Sequence, residues 1–373
     1  MDRVLQVIGG LNRAGAETML MNYYRRLDKR SMQFDFLIYK QEEQDFEAEI
    51  TAAGGRVLRI SAGGIFAPLQ YIVKIFRIIS QYGPYRAIHI HTLHNGAWAL
   101  LAALPFRKMV KVMHSHSTAN PKRGMIGKLY NAITKFLIRL LADKFVACGK
   151  ASGEYLFGKK FQTQGTIINN GIDLDSFDGF SPERRAAFCR AHGLDPEALL
   201  IVCVGRLLPM KNHAFAVEIA EELKRRGEKF ALLIAGSGEL ETELRRQISD
   251  AGLDEQVQLL GNTPDIPNLL SVMDIFLMPS RFEGLPVSLI EAQAAGLPCL
   301  VSDVITQEAD LGLGLLNYLD LRSGSASWAD KLLQIKDKRN TDRLKIAETI
   351  QKHGYDVKHN LTALLKLYED DNR

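Results

Sequence analysis

The stretch Pro279–Asp303, PSRFEGLPVSLIEAQAAGLPCLVSD, decides the fold. It is preceded by the apolar run Ile275–Met278 and ends in a second one, Cys299–Ser302, with a glycine-containing loop and a helical pattern between them. Two short apolar runs joined by a helix read as a βαβ unit, whose strands are parallel and buried. Gly284, Leu285, Pro286 and Val287 lie where the helix starts, so its first backbone amides are free to meet an anion. Glu283 and Glu291 flank that loop. Either carboxylate is also an ordinary partner for a helix N-terminus; Glu291, two turns on, is placed to accept hydrogen bonds from ribose hydroxyls.

The same alternation runs outward in both directions. Strands are expected at Val4–Ile8, Phe34–Tyr39, Ala87–His91, Val110–His114, Phe145–Cys148 and Thr166–Ile168. A second series follows at Leu199–Val204, Phe230–Ala235, Val257–Leu260, Ile275–Met278 and Cys299–Ser302. Between them Asn169–Glu183, NNGIDLDSFDGFSPE, is rich in Gly, Asp and Asn and reads as a connector with a helix start near Ser181. The expected architecture is α/β, with two Rossmann-like domains, 1–172 and 173–373, facing each other across a cleft. A C-terminal helix over 354–370 is expected to pack back on the first. The 373 residues suit two domains, and 46 % hydrophobic with 24 % charged residues excludes disordered and low-complexity classes.

No apolar run approaches the roughly 18 residues of a spanning helix, and MDRVLQVIGG lacks a signal-peptide pattern, so a cytoplasmic protein is expected. Cys148, Cys189, Cys203 and Cys299 are too scattered for a zinc knuckle or a disulfide framework. The net charge of +4 is unevenly placed: residues 51–160 hold 17 Lys or Arg against Asp143 and Glu154, leaving the rest of the chain at −11. That asymmetry points to an anionic partner for the first half. Within it, Pro121–Lys144 places Ile126, Leu129, Ile133, Phe136, Leu137 and Leu140 at helical spacing, with Lys122, Arg123, Lys128, Lys135 and Arg139 elsewhere around the helix. The pattern fits docking on anionic lipid; the competing expectation is a core-facing helix with a solvated basic face. No aromatic-interleaved basic patch supports nucleic acid.

Four more loops follow predicted strands. GGLNRAGAET, Gly9–Thr18, offers backbone N–H groups to a phosphate or is simply a tight βα turn; lacking GxGxxG, it does not support a nicotinamide site. GRLLPMKN, Gly205–Asn212, sets Arg206 and Lys211 beyond a strand's carboxyl end, where two cations can hold a diphosphate or stand as a solvated pair. GSGEL, Gly236–Leu240, adds a turn at the same edge. In HIHTLHNG and MHSHS, the histidines 89, 91, 94, 114 and 116 lack a neighbouring carboxylate to complete a metal set, and His114 is expected to project its ring or carbonyl into the cleft. Asp173 and Asp175 form a DxD in the connector that is read as a chance match.

Taken in order, GGLNRAGAE, MHSHS, NNGID, GRLLPMKN, GSGEL and EGLPVSLIEAQAAGLPCLVSD resemble the retaining glycosyltransferases of family 4, with nearest likeness to bacterial exopolysaccharide and capsule enzymes. The resemblance implies a GT-B fold, a donor nucleotide held mainly by the second domain, an acceptor by the first, and no metal or other cofactor. It assigns Arg206 and Lys211 to the diphosphate, Glu291 to the ribose, Glu283 to the donor sugar, and Gly15 and the glycines 205, 236 and 284 to the donor's surroundings. His114 matches the histidine near the transferring sugar, with His116 close enough to compete for the role. Ala14 stands where many members carry the first glycine of a pair. A UDP-linked hexose or N-acetylhexosamine donor, a lipid-linked acceptor and an anionic membrane surface are the implied partners. A non-hydrolysing sugar-nucleotide epimerase and a non-catalytic nucleotide-binding membrane protein remain the alternatives.

Overall fold

A computed structural model describes residues 1–61, 63–64, 67–117 and 124–369. The chain divides into two compact units, Met1–Gly171 together with the chain from Asp356 onward, and Ile172–Tyr355. The division falls one residue before the break expected from the sequence.

The first unit is built on strands β1 (Asp2–Val7), β2 (Met32–Ile38), β3 (Val57–Arg59), β4 (Ala87–Ile90), β5 (Val110–Ser115), β6 (Lys144–Ala147) and β7 (Gly165–Ile167). They lie in the order β3-β2-β1-β4-β5-β6-β7, all parallel, with Val4 opposite Phe34 on one side and Ala87 on the other. The second unit uses β8 (Leu199–Val204), β9 (Phe230–Ala235), β10 (Val257–Gly261), β11 (Ile275–Met278), β12 (Cys299–Ser302) and β13 (Leu316–Leu319), ordered β10-β9-β8-β11-β12-β13 and again parallel. In each sheet the order reverses beside the first strand, so the loops after β1 and β4, and after β8 and β11, diverge at a topological switch point.

Parallel strands covered by helices on both faces must be apolar throughout, which is why β9, FALLIA, is buried at every position. The two strands missed by the sequence pattern, β3 and β13, are edge strands of three and four half-buried residues. They carry Arg59 and Asn317, so no apolar run marks them. Each sheet has a separate core on either face, around Tyr24, Phe34 and Leu364 and around Ile90, Leu100 and Phe157 in the first unit. In the second the cores centre on Phe276, Ile290 and Val301, and on Leu232, Leu277 and Trp328.

The chain's final helix, Val357–Leu367, begins at Asp356, whose side chain caps it through the Lys358 amide. The motif Asn169–Gly171 holds it in place. Asn360 donates to the Asn169 carbonyl at 3.0 Å, and Tyr23 and Asn22 of the helix Gly15–Arg26 donate to the carbonyls of Asn169 and Gly171. Gly171 is needed there because a Cβ would lie 3.0 Å from the Val357 Cα. Leu361, Leu364 and Tyr368 enter the first unit's core. Leu364→Ala is expected to destabilise that unit by about 2–5 kcal/mol, read as a lowered midpoint in urea denaturation; an unchanged midpoint would mean that the tail is not part of the core.

Candidate active site

In the second unit the loops at the switch point are stitched to one another by backbone. Gly205 leaves β8 at φ 156°, and a Cβ on Gly236 would lie 2.0 Å from the Gly205 carbonyl oxygen, so no side chain fits where these two turns cross. Leu207 N–H donates to Ser237 O at 2.9 Å, and Arg281 N–H to Met210 O at 2.7 Å. Asn212, in the left-handed region at φ 57°, donates its side-chain amide to Pro279 O at 3.0 Å. The loops after β8, β9 and β11 thereby form one rigid edge.

That edge brings together the residues expected of it. Lys211 Nζ lies 2.6 Å from Glu283 Oε1, which also accepts from Ser280 Oγ at 2.8 Å. Both charged side chains are largely buried. Arg206 is exposed and has no ion-pair partner among the described residues. The helix Val287–Ala294 starts at Pro286 with no side-chain cap, and space is open around Gly284, so its first amides are available to an anion. Leu285 is half-buried beside them.

Glu291 retains some surface, yet the protein around its carboxyl raises its pKa to about 7 by burial. Behind the edge lies His213, buried at the start of the helix His213–Arg225, both ring nitrogens without a partner and its pKa lowered to about 4 by burial. The sequence marks His213 as one of the histidines that need an explanation but gives it no role, since a histidine after a βα loop is unremarkable until burial is known.

In the first unit the loop after β1 is less open than its glycines suggest. The amides of Leu11 and Arg13 are taken by the side chains of Gln44 and Asp45, so much of this loop is closed to a phosphate. Gly15 heads the helix Gly15–Arg26 with no side-chain cap before it, and only Asn170 Nδ2 would come within 4.0 Å of a Cβ there. Asp173 accepts from the Asp175 amide as the cap of a short 3-10 turn, which accounts for that DxD without a metal.

The histidines form a stack at the carboxyl ends of β4 and β5. His89 and His91 lie beside His114 and His116, with ring centroids 4.0 to 5.3 Å apart. His114 does not project its ring into open space: it is fully buried, whereas His116, just past the end of β5, is half-exposed. One nitrogen of each, His114 Nε2 and His116 Nδ1, is buried without a partner. Burial lowers all four pKa values, His89 to about 3 and His116 to about 4, so the rings are neutral. His89, His91 and His114 bring ligand nitrogens within 4.8 Å of one another, a spacing that suits a transition metal. Those nitrogens already face hydrogen-bond partners: His89 Nε2 lies 3.2 Å from His114 Nδ1, and His91 Nδ1 lies 2.8 Å from His116 Nε2. The clustering was hidden in the sequence because it needs the pairing of β4 with β5, which sets Ile90 beside Met113 and so His91 next to His114. His94 belongs elsewhere, bonded to Thr134.

A carboxyl whose folded-state pKa lies above its unfolded value favours folding when protonated, and that contribution fades as pH rises through the folded pKa. Wild-type stability therefore loses the Glu291 contribution as pH rises from about 4.5 through 7. Glu291→Gln is expected to lack this component and to be the more stable protein at pH 8, as measured by urea denaturation at pH 5 and 8. Equal pH dependence in the two proteins would refute the buried carboxyl.

Comparison with known proteins identifies the family and the fold of the chain. Residues 13–176 match the family model described as Glycosyltransferase Family 4, and residues 185–311 match Glycosyl transferases group 1. The chain is 38 % identical over its whole length to "Putative glycosyltransferase EpsF" of Bacillus subtilis (strain 168), covering 98 % of that protein. It is 25 % identical to the UDP-Gal:alpha-D-GlcNAc-diphosphoundecaprenol alpha-1,3-galactosyltransferase of Escherichia coli, over 81 % of this chain and 79 % of that one. Anabaena Alr3699/HepE, solved in complex with UDP-glucose, superposes with a TM-score of 0.77 at 18 % identity, covering 98 % of this chain and 99 % of that one. Two parallel α/β units of GT-B type and the match along the full length to EpsF establish that the chain belongs to the family 4 glycosyltransferases.

Proposed function

We propose that the protein transfers a hexose or N-acetylhexosamine, with retention of configuration, from a UDP-linked donor to a lipid-linked glycan acceptor in cell-surface polysaccharide biosynthesis. The observation that carries this is the second unit's switch-point edge, where Arg206, Lys211 and Glu283 stand on one set of interlocked loops, beside the uncapped start of the helix that carries Glu291. Breaking a glycosidic bond to a diphosphate leaves charge on the departing phosphate, and cations and amides fixed in advance stabilise it. Arg206 and Lys211 do this in place of a divalent metal. In the resting protein Lys211 is neutralised by Glu283. Donor binding opens that pair, turning Lys211 to the diphosphate and freeing Glu283 to accept from a sugar hydroxyl, while Glu291 accepts from the ribose.

The donor and acceptor classes are supported by relatives. The E. coli enzyme is named for a UDP-galactose donor and a diphosphoundecaprenol-linked sugar, and HepE was solved with UDP-glucose. The half-exposed His116, with the enclosed His114 behind it, is taken as the imidazole that meets the transferring sugar.

A lipid-linked acceptor places the reaction at the inner face of the cytoplasmic membrane. No helix among the described residues is long and apolar enough to cross a membrane. Instead the helix Met125–Leu141 turns its apolar stripe outward: Ile126 is 86 % and Phe136 65 % exposed, with Leu129, Ile133 and Leu140 beside them, while Gly127, Thr134 and Ile138 face the core. Of the two arrangements the sequence allows, the core-facing one is therefore not the one found for this stripe. Lys128, exposed, and Lys135 and Arg139, half-buried, flank the stripe; Lys122 and Arg123 lie outside the described residues. An apolar face bordered by cations, within a segment of net charge +15, suits an anionic lipid surface.

Two measurements test this. Thermal stabilisation by UDP, GDP, ADP and their sugars, in chelator, is expected to select UDP compounds and to vanish in Lys211→Ala. A shift that requires a divalent metal would overturn the metal-independent site, and a shift for no nucleotide would favour the non-catalytic alternative. Conversion of the sugar nucleotide without acceptor would instead identify an epimerase. In flotation with phosphatidylglycerol vesicles, wild type is expected to bind in a salt-sensitive way, and Ile126→Asp with Phe136→Asp to weaken binding at least tenfold. Unchanged flotation would remove this helix from the membrane contact.

A further inference from the structure

The buried histidines belong to one chain of hydrogen bonds that begins and ends on ring nitrogens with no partner. His116 Nε2 lies 2.8 Å from His91 Nδ1, and His91 Nε2 lies 3.1 Å from Gln6 Oε1. Gln6 Nε2 lies 3.1 Å from the Tyr368 hydroxyl, which lies 2.8 Å from His89 Nδ1. His89 Nε2 then meets His114 Nδ1 at 3.2 Å. Gln6 is the only member whose two polar atoms differ fixedly in kind, an acceptor oxygen and a donor nitrogen. It is fully buried on β1, and Tyr368 is fully buried at the end of the chain's last helix, where Arg86 donates to the Tyr368 carbonyl.

The proton positions follow from Gln6 in both directions. Its oxygen accepts only, so His91 donates through Nε2–H and keeps Nδ1 as an acceptor. His116 must then donate through Nε2–H, which leaves His116 Nδ1 as a bare lone pair. On the other side, Gln6 Nε2–H donates to Tyr368 Oη, the Tyr368 proton goes to His89 Nδ1, and His89 Nε2–H donates to His114 Nδ1. Each neutral imidazole carries one proton, and in all four it is on Nε2.

We infer that Gln6, held by Tyr368 of the C-terminal helix, is a positioning residue that sets the tautomer of His116 through His91, so that His116 presents Nδ1 as a hydrogen-bond acceptor to a substrate hydroxyl. The inference rests on the reading of His116 as the sugar-facing imidazole. A buried acceptor without a partner costs stability, and such a group in a native structure calls for a role. A sugar hydroxyl donating to Nδ1 would satisfy it. His116 keeps some surface but its Nδ1 is enclosed, so a hydroxyl reaches that nitrogen only when the groups around it give way. The opposite setting of the Gln6 amide would turn every proton in the chain round and leave His116 Nδ1 a donor, which a hydroxyl would meet quite differently.

The test uses the full chain labelled with 15N-histidine. Long-range 15N–1H correlation is expected to report Nε2–H for His116 and His91 in the wild type, and a mixture of tautomers for both in Gln6→Leu. Steady-state transfer by Gln6→Leu is expected to show kcat lowered by about 10²-fold with the donor KM within twofold. In a His116→Ala background the same substitution is expected to cost nothing further, because its effect passes through that ring. Tyr368→Phe is the milder variant should Gln6→Leu fold poorly; it removes the partner of Gln6 Nε2 and is expected to mix the His91 and His116 tautomers likewise. Nδ1–H on His116 in the wild type, or a His116 tautomer unchanged in both variants, would overturn the proposal. So would a joint shift of the four imidazoles on adding zinc to the wild-type protein, since the ring nitrogens would then be metal ligands. The tautomer is read without turnover, so an inactive protein with the expected Nε2–H pattern would refute the transferase reading and leave the hydrogen-bond chain intact.

Discussion

A parallel sheet buried on both faces has nowhere to put chemistry except where its strands end. Every strand of both sheets here is parallel, and most connections between strands run through an α-helix packed on a sheet face. The polar backbone that the interior cannot tolerate is therefore concentrated in the βα loops. The order reversal beside β1 and beside β8 splays two loops at each switch point and leaves room for a ligand. Arg206, Lys211, Glu283 and Glu291 in one unit, and Gly15 and His91 in the other, sit on or just after such loops, and His116 follows the neighbouring strand β5. The sites follow from the winding of the sheets, and the loops supply the chemistry.

What holds the loops differs between the units. In the second unit it is close approach of backbone: Gly236 lies so near the Gly205 carbonyl that any side chain would collide with it, and the loops after β8 and β11 are joined amide to carbonyl. In the first unit side chains do the holding, and the end of the chain is recruited for it. Asn169–Gly171 binds the last helix, which delivers Tyr368 through the core to Gln6 and His89, more than 270 residues away in sequence. A tail that served only to cover apolar surface would have no need to bury a hydroxyl among imidazoles.

Much of this was legible in the sequence, for an identifiable reason. Central strands such as β8 and β9 are apolar at every position because both faces are covered, and loops that must approach one another closely carry glycine; both leave local marks. Arg206, Lys211 and Glu283 stand within such marked loops, and Glu291 stands in the helix that follows one of them. The edge strands β3 and β13 were invisible because half-buried strands of three or four residues have no run to detect. Gln6 and Tyr368 were invisible for another reason. A glutamine inside an apolar strand and a tyrosine near the chain's end look ordinary until the fold places one against the other. The stripe Ile126–Leu140 was legible as a period but not as a direction: helical spacing locates a face without saying whether protein covers it.

The two units also share a pattern of local cost. Glu291 is a carboxyl whose charge burial opposes, His213 has two unmet ring nitrogens, and His114 and His116 have one each. Each lies at or beside a switch point, and each would be more stable as an apolar residue of similar shape. Sites with no ligand to meet have no reason to keep such groups, whereas a sugar nucleotide presents the hydroxyls and phosphates that would satisfy them. On the proposed function, a ligand that met these groups would gain back the stability that their unmet polarity costs the empty protein. A protein that binds its substrates transiently can hold polar groups in readiness only if the rest of the fold carries that cost. The four separate hydrophobic cores, two to each sheet, are what carry it here.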